Sequence, residues 1–438
     1  MTTIVNKVLE LRSSKIATNI LWLLFDKGLR MGSGLIIGIW IARYLGPEQF
    51  GKLNYGQAFI AIFSAFVSLG LDTTLVKEIV SGEHEKHKLL GTGFLLRLTG
   101  AIVALAVVIA SSFALDYEAD PQSFTIIVIL GFSLVFQSVD VVDLYLQAHL
   151  KSKISVILKN SALVLSSLFK VYLLLNDYPV SYFAFAILLD IGLAALFLLG
   201  YAYKGLAIKI ATWKWDTAIA RSLMQSSWPL VISALTVIAY MRIDQLMIKN
   251  MLGSVSVGNY SAAVRITELF SILPVVITNS MFPSLVNASK DTLLYHSRLA
   301  KLYSILIYSS FALAIVTTVL SPIIISLLYG QQYQDAIPVL RIHVWSTVFI
   351  FLGVASSQQL VIEGKSKETL YRTILGLTSN IILNIILIPA YGINGVATAT
   401  LISYAISSFL SNFIFKSTRS INLLYLKAIL SVKGRNNA

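Results

Sequence analysis

The chain has 438 residues, 56% of them hydrophobic and only 13% charged, with mean hydropathy +0.78 and formal net charge +13. Soluble domains carry about a quarter of their residues as charges, so a water-soluble globular fold is excluded. The absence of Cys excludes a disulfide framework and a thiolate metal site, and of the five His only His84 and His87 are close, in a polar loop; no cofactor and no metal are expected.

A helix crosses the hydrocarbon core with about 20 apolar residues. Twelve stretches meet that length: 19–43, 53–76, 89–113, 123–148, 154–175, 179–203, 222–248, 257–286, 302–329, 336–362, 370–389 and 392–415. Of the 34 Lys and Arg, 24 fall in alternate gaps, among them Lys151, Lys153, Lys159, Lys365, Lys367 and Arg372. Three fall in the opposite gaps, Arg43, Lys52 and Lys249, and seven lie inside the stretches. Positive loops stay in the cytoplasm, so both termini are expected there and the helix count is even. This topology accounts for the basic residues better than nucleic-acid binding does, because they are dispersed through short loops.

Residues 1–18 mix Lys7, Glu10, Arg12 and Lys15 with short apolar runs, and read as a cytoplasmic segment with an interfacial face of Ile4, Val8 and Leu11 rather than a signal peptide. The first span carries Asp26, Lys27 and Arg30; at 1.5 Å per residue Lys27 lies about 12 Å deep and Arg30 about 16 Å, near the midplane. Its Gly28, Gly32, Gly34 and Gly38 form small-xxx-small patterns, which permit close helix contact or bending, close packing being the commoner meaning. Leu45-Gly46, four residues and Gly51 follow this span; Leu252-Gly253, four residues and Gly258 follow the seventh. Likewise Lys151-Ser152-Lys153 before span five recurs as Lys365-Ser366-Lys367 before span eleven. Two six-helix lobes of the same orientation around a central cavity are expected, 19–203 and 222–415, joined by a cytoplasmic linker 204–221 and followed by a cytoplasmic tail 416–438.

Further along, Arg97 in span three and Arg265 in span eight reach central depths. Each central cation costs roughly 2.5 to 3.5 kcal/mol to insert, which points to an anion site formed by Lys27, Arg30, Arg97 and Arg265. The bland alternative is local pairing, Asp26 with Arg30 and Arg265 with Glu268 at helical spacing. Asp190 sits near the middle of span six with no cation within four residues; it either exchanges a proton or pairs with a cation across the cavity. Asp140 and Asp143 read as solvated at a cytoplasmic helix end. Gly364-Lys365-Ser366 resembles the end of a phosphate loop, but Gln359 stands where a glycine is required. With no HExxH or GxSxG either, the chain is not expected to be an enzyme, and its energy source is an ion gradient or the membrane potential.

The stretch Ile41-Ala-Arg-Tyr-Leu-Gly-Pro-Glu-Gln-Phe-Gly51, with Met241-Arg-Ile-Asp-Gln245, Val257-Gly-Asn-Tyr-Ser-Ala-Ala263, Phe282-Pro283 and Asn380 to Gly395, resembles the bacterial O-antigen and capsule repeat-unit flippases. These belong to the multidrug/oligosaccharidyl-lipid/polysaccharide exporter superfamily. The resemblance covers nearly the whole chain. It implies an all-α protein of twelve transmembrane helices in the inner membrane, moving undecaprenyl-diphosphate-linked oligosaccharide from the cytoplasmic to the periplasmic leaflet, alongside other O-antigen pathway membrane proteins. Lys27, Arg30, Arg97 and Arg265 would then meet the diphosphate, and Asp26, Asp190 and Glu268 would serve H+ or Na+ coupling or charge pairing. The rival readings are a multidrug antiporter of organic cations and a membrane glycan polymerase or ligase; the outward loops are short for the latter.

Overall fold

A computed structural model describes residues 15–206, 212–414 and 418–430. The expected interfacial face of Ile4, Val8 and Leu11, part of the linker and the end of the tail lie outside them. The described residues form helices and no strand. Ten helical stretches among them are long and apolar enough to cross a bilayer. Two of the ten, Leu21–Ser81 with 61 residues and Ser366–Ile414 with 49, far exceed one crossing.

Both are broken at a glycine. Helix α1 (Lys15–Ser68) is interrupted at Gly46 (φ 69°, ψ 172°), with Pro47 next. Gly253, the matching residue of the sequence repeat, has nearly the same backbone (φ 84°, ψ 178°). Only glycine enters this region without strain, so the repeated Leu-Gly encodes the same local break in the helix twice. The second break, at Gly392 (φ 56°), divides the 40-residue helix Ser366–Ala405.

The helices gather into two compact units. Unit 1 takes the described residues up to Leu45 together with Lys52–Ile238; unit 2 takes Gly46–Gly51 and the residues from Ala239 on. In unit 1, α1 is followed by α2 (Leu71–Ser81), α3 (Lys86–Asp116), α4 (Pro121–Gly131), α5 (Ser133–Gln137), α6 (Asp140–Ala148), α7 (Ser152–Leu175), α8 (Val180–Gly205) and the first part of α9 (Thr217–Leu252). The α4 start is written locally: Pro121 opens the first turn, and Asp120 accepts from the Ser123 backbone N–H and hydroxyl. Leu71, Leu75, Leu90, Val141, Leu146 and Leu198 pack as its core. The turn into α2 needs Gly70 (φ 61°), because a Cβ there would press on Leu230 and the Ser227 carbonyl.

Unit 2 continues with α10 (Ser254–Phe270), α11 (Ile272–Ala288), α12 (Thr292–Leu328), α13 (Ala336–His343), α14 (Ser346–Ile362), α15 (Ser366–Ala405), a π-helical turn (Ile406–Leu410), α16 (Ser411–Ile414) and α17 (Arg419–Leu430). Asp291 caps α12 by accepting from the Leu293 and Leu294 N–H groups. Leu299, Leu302, Tyr303, Leu306, Phe351 and Tyr425 form its core, which docks amphipathic α17.

The glycine stripe of the first span departs from expectation. Among the described residues, nothing lies within 4 Å of a Cβ built on Gly28, Gly32 or Gly34. These glycines therefore do not make the close helix contact that their spacing suggests.

Candidate functional site

Five helices of unit 1 border a cavity of about 290 Å3 lined by Asp26 and Arg30 of α1, Gln137 of α5, Asp140 of α6, Lys159 of α7 and Asp190 of α8. Arg30 Nε donates to Asp26 at 3.1 Å, the local pair expected at that spacing, and Arg30 Nη1 stands 4.0 Å from Asp190 Oδ2. The lone acid of span six thus has a cation from span one. Asp190 Oδ1 is buried and bonded to nothing among the described residues. Across the cavity, Lys159 Nζ lies 3.1 Å from Asp140 and 2.6 Å from Asp143, whose other oxygen accepts from Ser155. Asp140 and Asp143 are therefore paired with a lysine rather than simply solvated.

Arg97 has a different environment. Its side chain is 3% exposed and bonded to Asp72, whose carboxylate is 64% exposed. Lys27 is exposed and, among the described residues, has no ion-pair partner. Lys27, Arg30 and Arg97 belong to unit 1 and Arg265 to unit 2.

In unit 2, Glu268 pairs with Arg242 at 3.2 Å, so the expected local pair of Arg265 with Glu268 does not form. The i, i+3 spacing permits that pair, but the α9 guanidinium takes the carboxylate instead. Half-buried Arg265 has no carboxylate within ion-pair distance among the described residues.

Sequence reasoning missed the most enclosed carboxylate of unit 2. Asp244 of α9 is buried and accepts from Tyr260 Oη at 2.5 Å and Asn384 Nδ2 at 2.7 Å. Thr400 Oγ1 lies 2.7 Å from the same carboxylate and 2.9 Å from the Val396 carbonyl. Asn380 Oδ1 accepts from Asn384. No Lys, Arg or His pairs with Asp244 among the described residues. One carboxylate ringed by neutral hydroxyl and amide groups suits a proton or a monovalent cation, since a divalent ion calls for more charge. The available signal was Asn380 and Asn384, two amides one helical turn apart in an apolar stretch.

Two cations assigned to cytoplasmic segments instead lie within helices, Lys159 half-buried and Arg372 buried. Lys159 lies two turns into α7, because that helix begins at Ser152. Arg372 is 3% exposed and donates to the Ser407 carbonyl at 2.9 Å and Ser356 Oγ at 2.9 Å. The π-helical turn frees the carbonyl that it binds.

Apolar helices long enough to span, with ion pairs enclosed among them, define a multi-pass membrane protein. The fold is similar to that of a solved structure described as the inward-facing conformation of a multidrug resistance MATE family transporter of the MOP superfamily (TM-score 0.71, 15% identity, 93% of this chain and 98% of that one). The lipid II flippase MurJ in an inward closed conformation matches similarly (TM-score 0.70, 16% identity, 96% and 93%). At those identities the likeness speaks for fold alone. The family model described as polysaccharide biosynthesis protein matches residues 16–289, more than half of the chain, and the chain belongs to that family. The MatE model matches residues 229–386. Among curated proteins, the probable low-salt glycan biosynthesis flippase Agl15 of Haloferax volcanii is 27% identical over 210 residues, 47% of this chain. The chain spans only 44% of that relative's length.

Proposed function

We propose that the chain is a flippase for polyprenyl-diphosphate-linked oligosaccharide, moving it from the cytoplasmic to the outer leaflet of the cytoplasmic membrane by alternating access. The observation that carries the reading is Arg265, a cation in a helical stretch of spanning length with no carboxylate within ion-pair distance among the described residues, in a chain of the polysaccharide biosynthesis family. An uncompensated arginine there is costly and suits an anionic substrate. Lys27 is uncompensated in the same way, whereas Arg30 and Arg97 already share their charge with Asp26, Asp190 and Asp72. The uncompensated cations, Lys27 in unit 1 and Arg265 in unit 2, are therefore the preferred diphosphate ligands, each within its own unit.

The long stretches broken at Gly46 and Gly392 each serve as two crossings, giving twelve with both termini cytoplasmic, in two lobes over 19–203 and 222–415. Transport rather than catalysis accords with this design. Two negative charges moving toward the positive outer face gain roughly 4.6 kcal/mol at 100 mV. Asp244, whose partners are neutral, is the preferred seat for an exchanged Na+ or H+; Asp26, Asp190 and Glu268 each face a guanidinium.

The test is reconstitution of the full chain in liposomes with a defined undecaprenyl-diphosphate oligosaccharide. Arg265→Glu lowers leaflet crossing by about tenfold or more, the effect of one charge-assisted contact, while its melting temperature holds. Unchanged crossing in this variant would remove the anion-site assignment. A second reading, export of organic cations, draws on the three carboxylates against two cations lining the unit 1 cavity. Uptake of tetraphenylphosphonium by the same liposomes tests it.

A further inference from the structure

The unit 1 cavity has the wrong charge for a diphosphate. Asp26, Asp140 and Asp190 line it with Arg30 and Lys159. Immediately behind them stand Asp143, paired with Lys159, and Lys170, which acts electrostatically on Asp190. Four carboxylates against three cations leave one net negative charge around the cavity. A group with two negative charges is repelled from this cavity.

Its hydrogen-bonding inventory points elsewhere. The Gln137 amide has no partner among the described residues, Asp190 Oδ1 is buried and unbonded, and Arg30 keeps N–H groups beyond those given to the two acids. Donors and acceptors are interspersed, as hydroxyl groups require, since each hydroxyl both donates and accepts. Phe136 supplies an apolar wall, suited to the C–H face of a pyranose ring. The volume of about 290 Å3 lies at the small end of ligand pockets, which start near ~300 Å3, and so accommodates a short piece of a glycan.

Building on the flippase reading above, we propose that this cavity is a sugar-recognition site: it takes one uncharged sugar ring of the lipid-linked glycan, excludes uronic acids, and leaves the diphosphate to cations elsewhere. Arg30 is then a sugar ligand rather than a phosphate ligand, fixed by Asp26 and Asp190.

The experiment measures binding of three probes to the full chain in nanodiscs: bare undecaprenyl diphosphate, and the same lipid carrying a neutral sugar (glucose or N-acetylglucosamine) or glucuronic acid. A neutral sugar strengthens binding about tenfold over the bare carrier, the worth of one or two net hydrogen bonds, and glucuronic acid gives no such gain. Ala194→Phe, which fills the cavity, and Gln137→Leu, which keeps its volume but removes the amide, each bring the ratio of glycosylated to bare affinity toward one. Preservation of that ratio in both variants overturns the proposal, as does equal weakening of all three lipids, which would place phosphate in the cavity. Failure of the unmodified chain to bind even bare undecaprenyl diphosphate overturns the flippase reading itself, and the proposal with it.

Discussion

Gly51 and Gly258, the closing residues of the two copies of the Leu-Gly repeat, are packed against each other's segments within unit 2. A Cβ on Gly51 would collide with the Ser254 carbonyl and approach the Gly258 nitrogen, and a Cβ on Gly258 would collide with the Pro47 carbonyl. The contact is reciprocal, and it is made by backbone, which cannot swing aside. Gly51→Ala and Gly258→Ala therefore each destabilise the protein by about 1–3 kcal/mol, the cost of overpacking, and lower its melting temperature in detergent. Gly28→Ala, with nothing within 4 Å of the new methyl, leaves the melting temperature unchanged. Equal behaviour of the three variants would show that the close approach is not needed.

Lys159 neutralises Asp140 and Asp143 together, and the two acids differ in exposure: the Asp140 side chain is 40% exposed and that of Asp143 12%. Lys159→Met strands a buried carboxylate, a loss of about 3–5 kcal/mol. Asp140→Asn costs little by comparison, because water already reaches that group. Adding Asp143→Asn to Lys159→Met recovers part of the loss, since the stranded charge is gone. Thermal melts of the single and double variants read this coupling directly.

Arg372 holds two backbone and side-chain oxygens around the π-helical turn with a planar guanidinium. A lysine ammonium is a point charge on a flexible stem and does not reproduce that fork. Arg372→Lys is expected to lose about 1.5–3 kcal/mol, the worth of one charge-assisted hydrogen bond. The check is a chemical or thermal unfolding curve; a wild-type curve would mean that the turn does not depend on the fork.

The membrane character was legible because it rests on a local rule, run length for the spans; Leu-Gly was legible as a repeat, but the backbone shared by Gly46 and Gly253 came only with the structure. The Asp26 and Arg30 pair was legible from i, i+4 spacing. What was hidden depended on helix boundaries or on distant partners. Lys159 and Arg372 fall inside the stretches 154–175 and 370–389 but close to basic loop residues, and the observed helix starts at Ser152 and Ser366 put both within helices. Arg265 and Glu268 have pairing geometry along their own helix, yet Glu268 goes to Arg242, a choice made by the approach of α9 to α10. Asp72 stands 25 residues from Arg97 in the chain, and only tertiary structure sets the two against each other.

Asp244 illustrates the same limit, and it yields the most informative test of energy coupling. Arg242, two residues earlier, points to a different partner, and Asn384 and Thr400 come from 140 and 156 residues away. Every group bonded to Asp244 is neutral, so its negative charge is stabilised by dipoles and can be matched by an ion that comes and goes. Asp244→Asn preserves shape and an accepting oxygen while removing that charge. If the site exchanges a cation, transport of the lipid-linked glycan by the variant in liposomes no longer responds to an imposed sodium or proton gradient, although a response to membrane potential survives through the charge of the substrate. Thr400→Val, which removes one neutral ligand and keeps the carboxylate, weakens the gradient response without abolishing it. Retention of the full response in Asp244→Asn would assign the network to folding and return coupling to the acids paired with arginine.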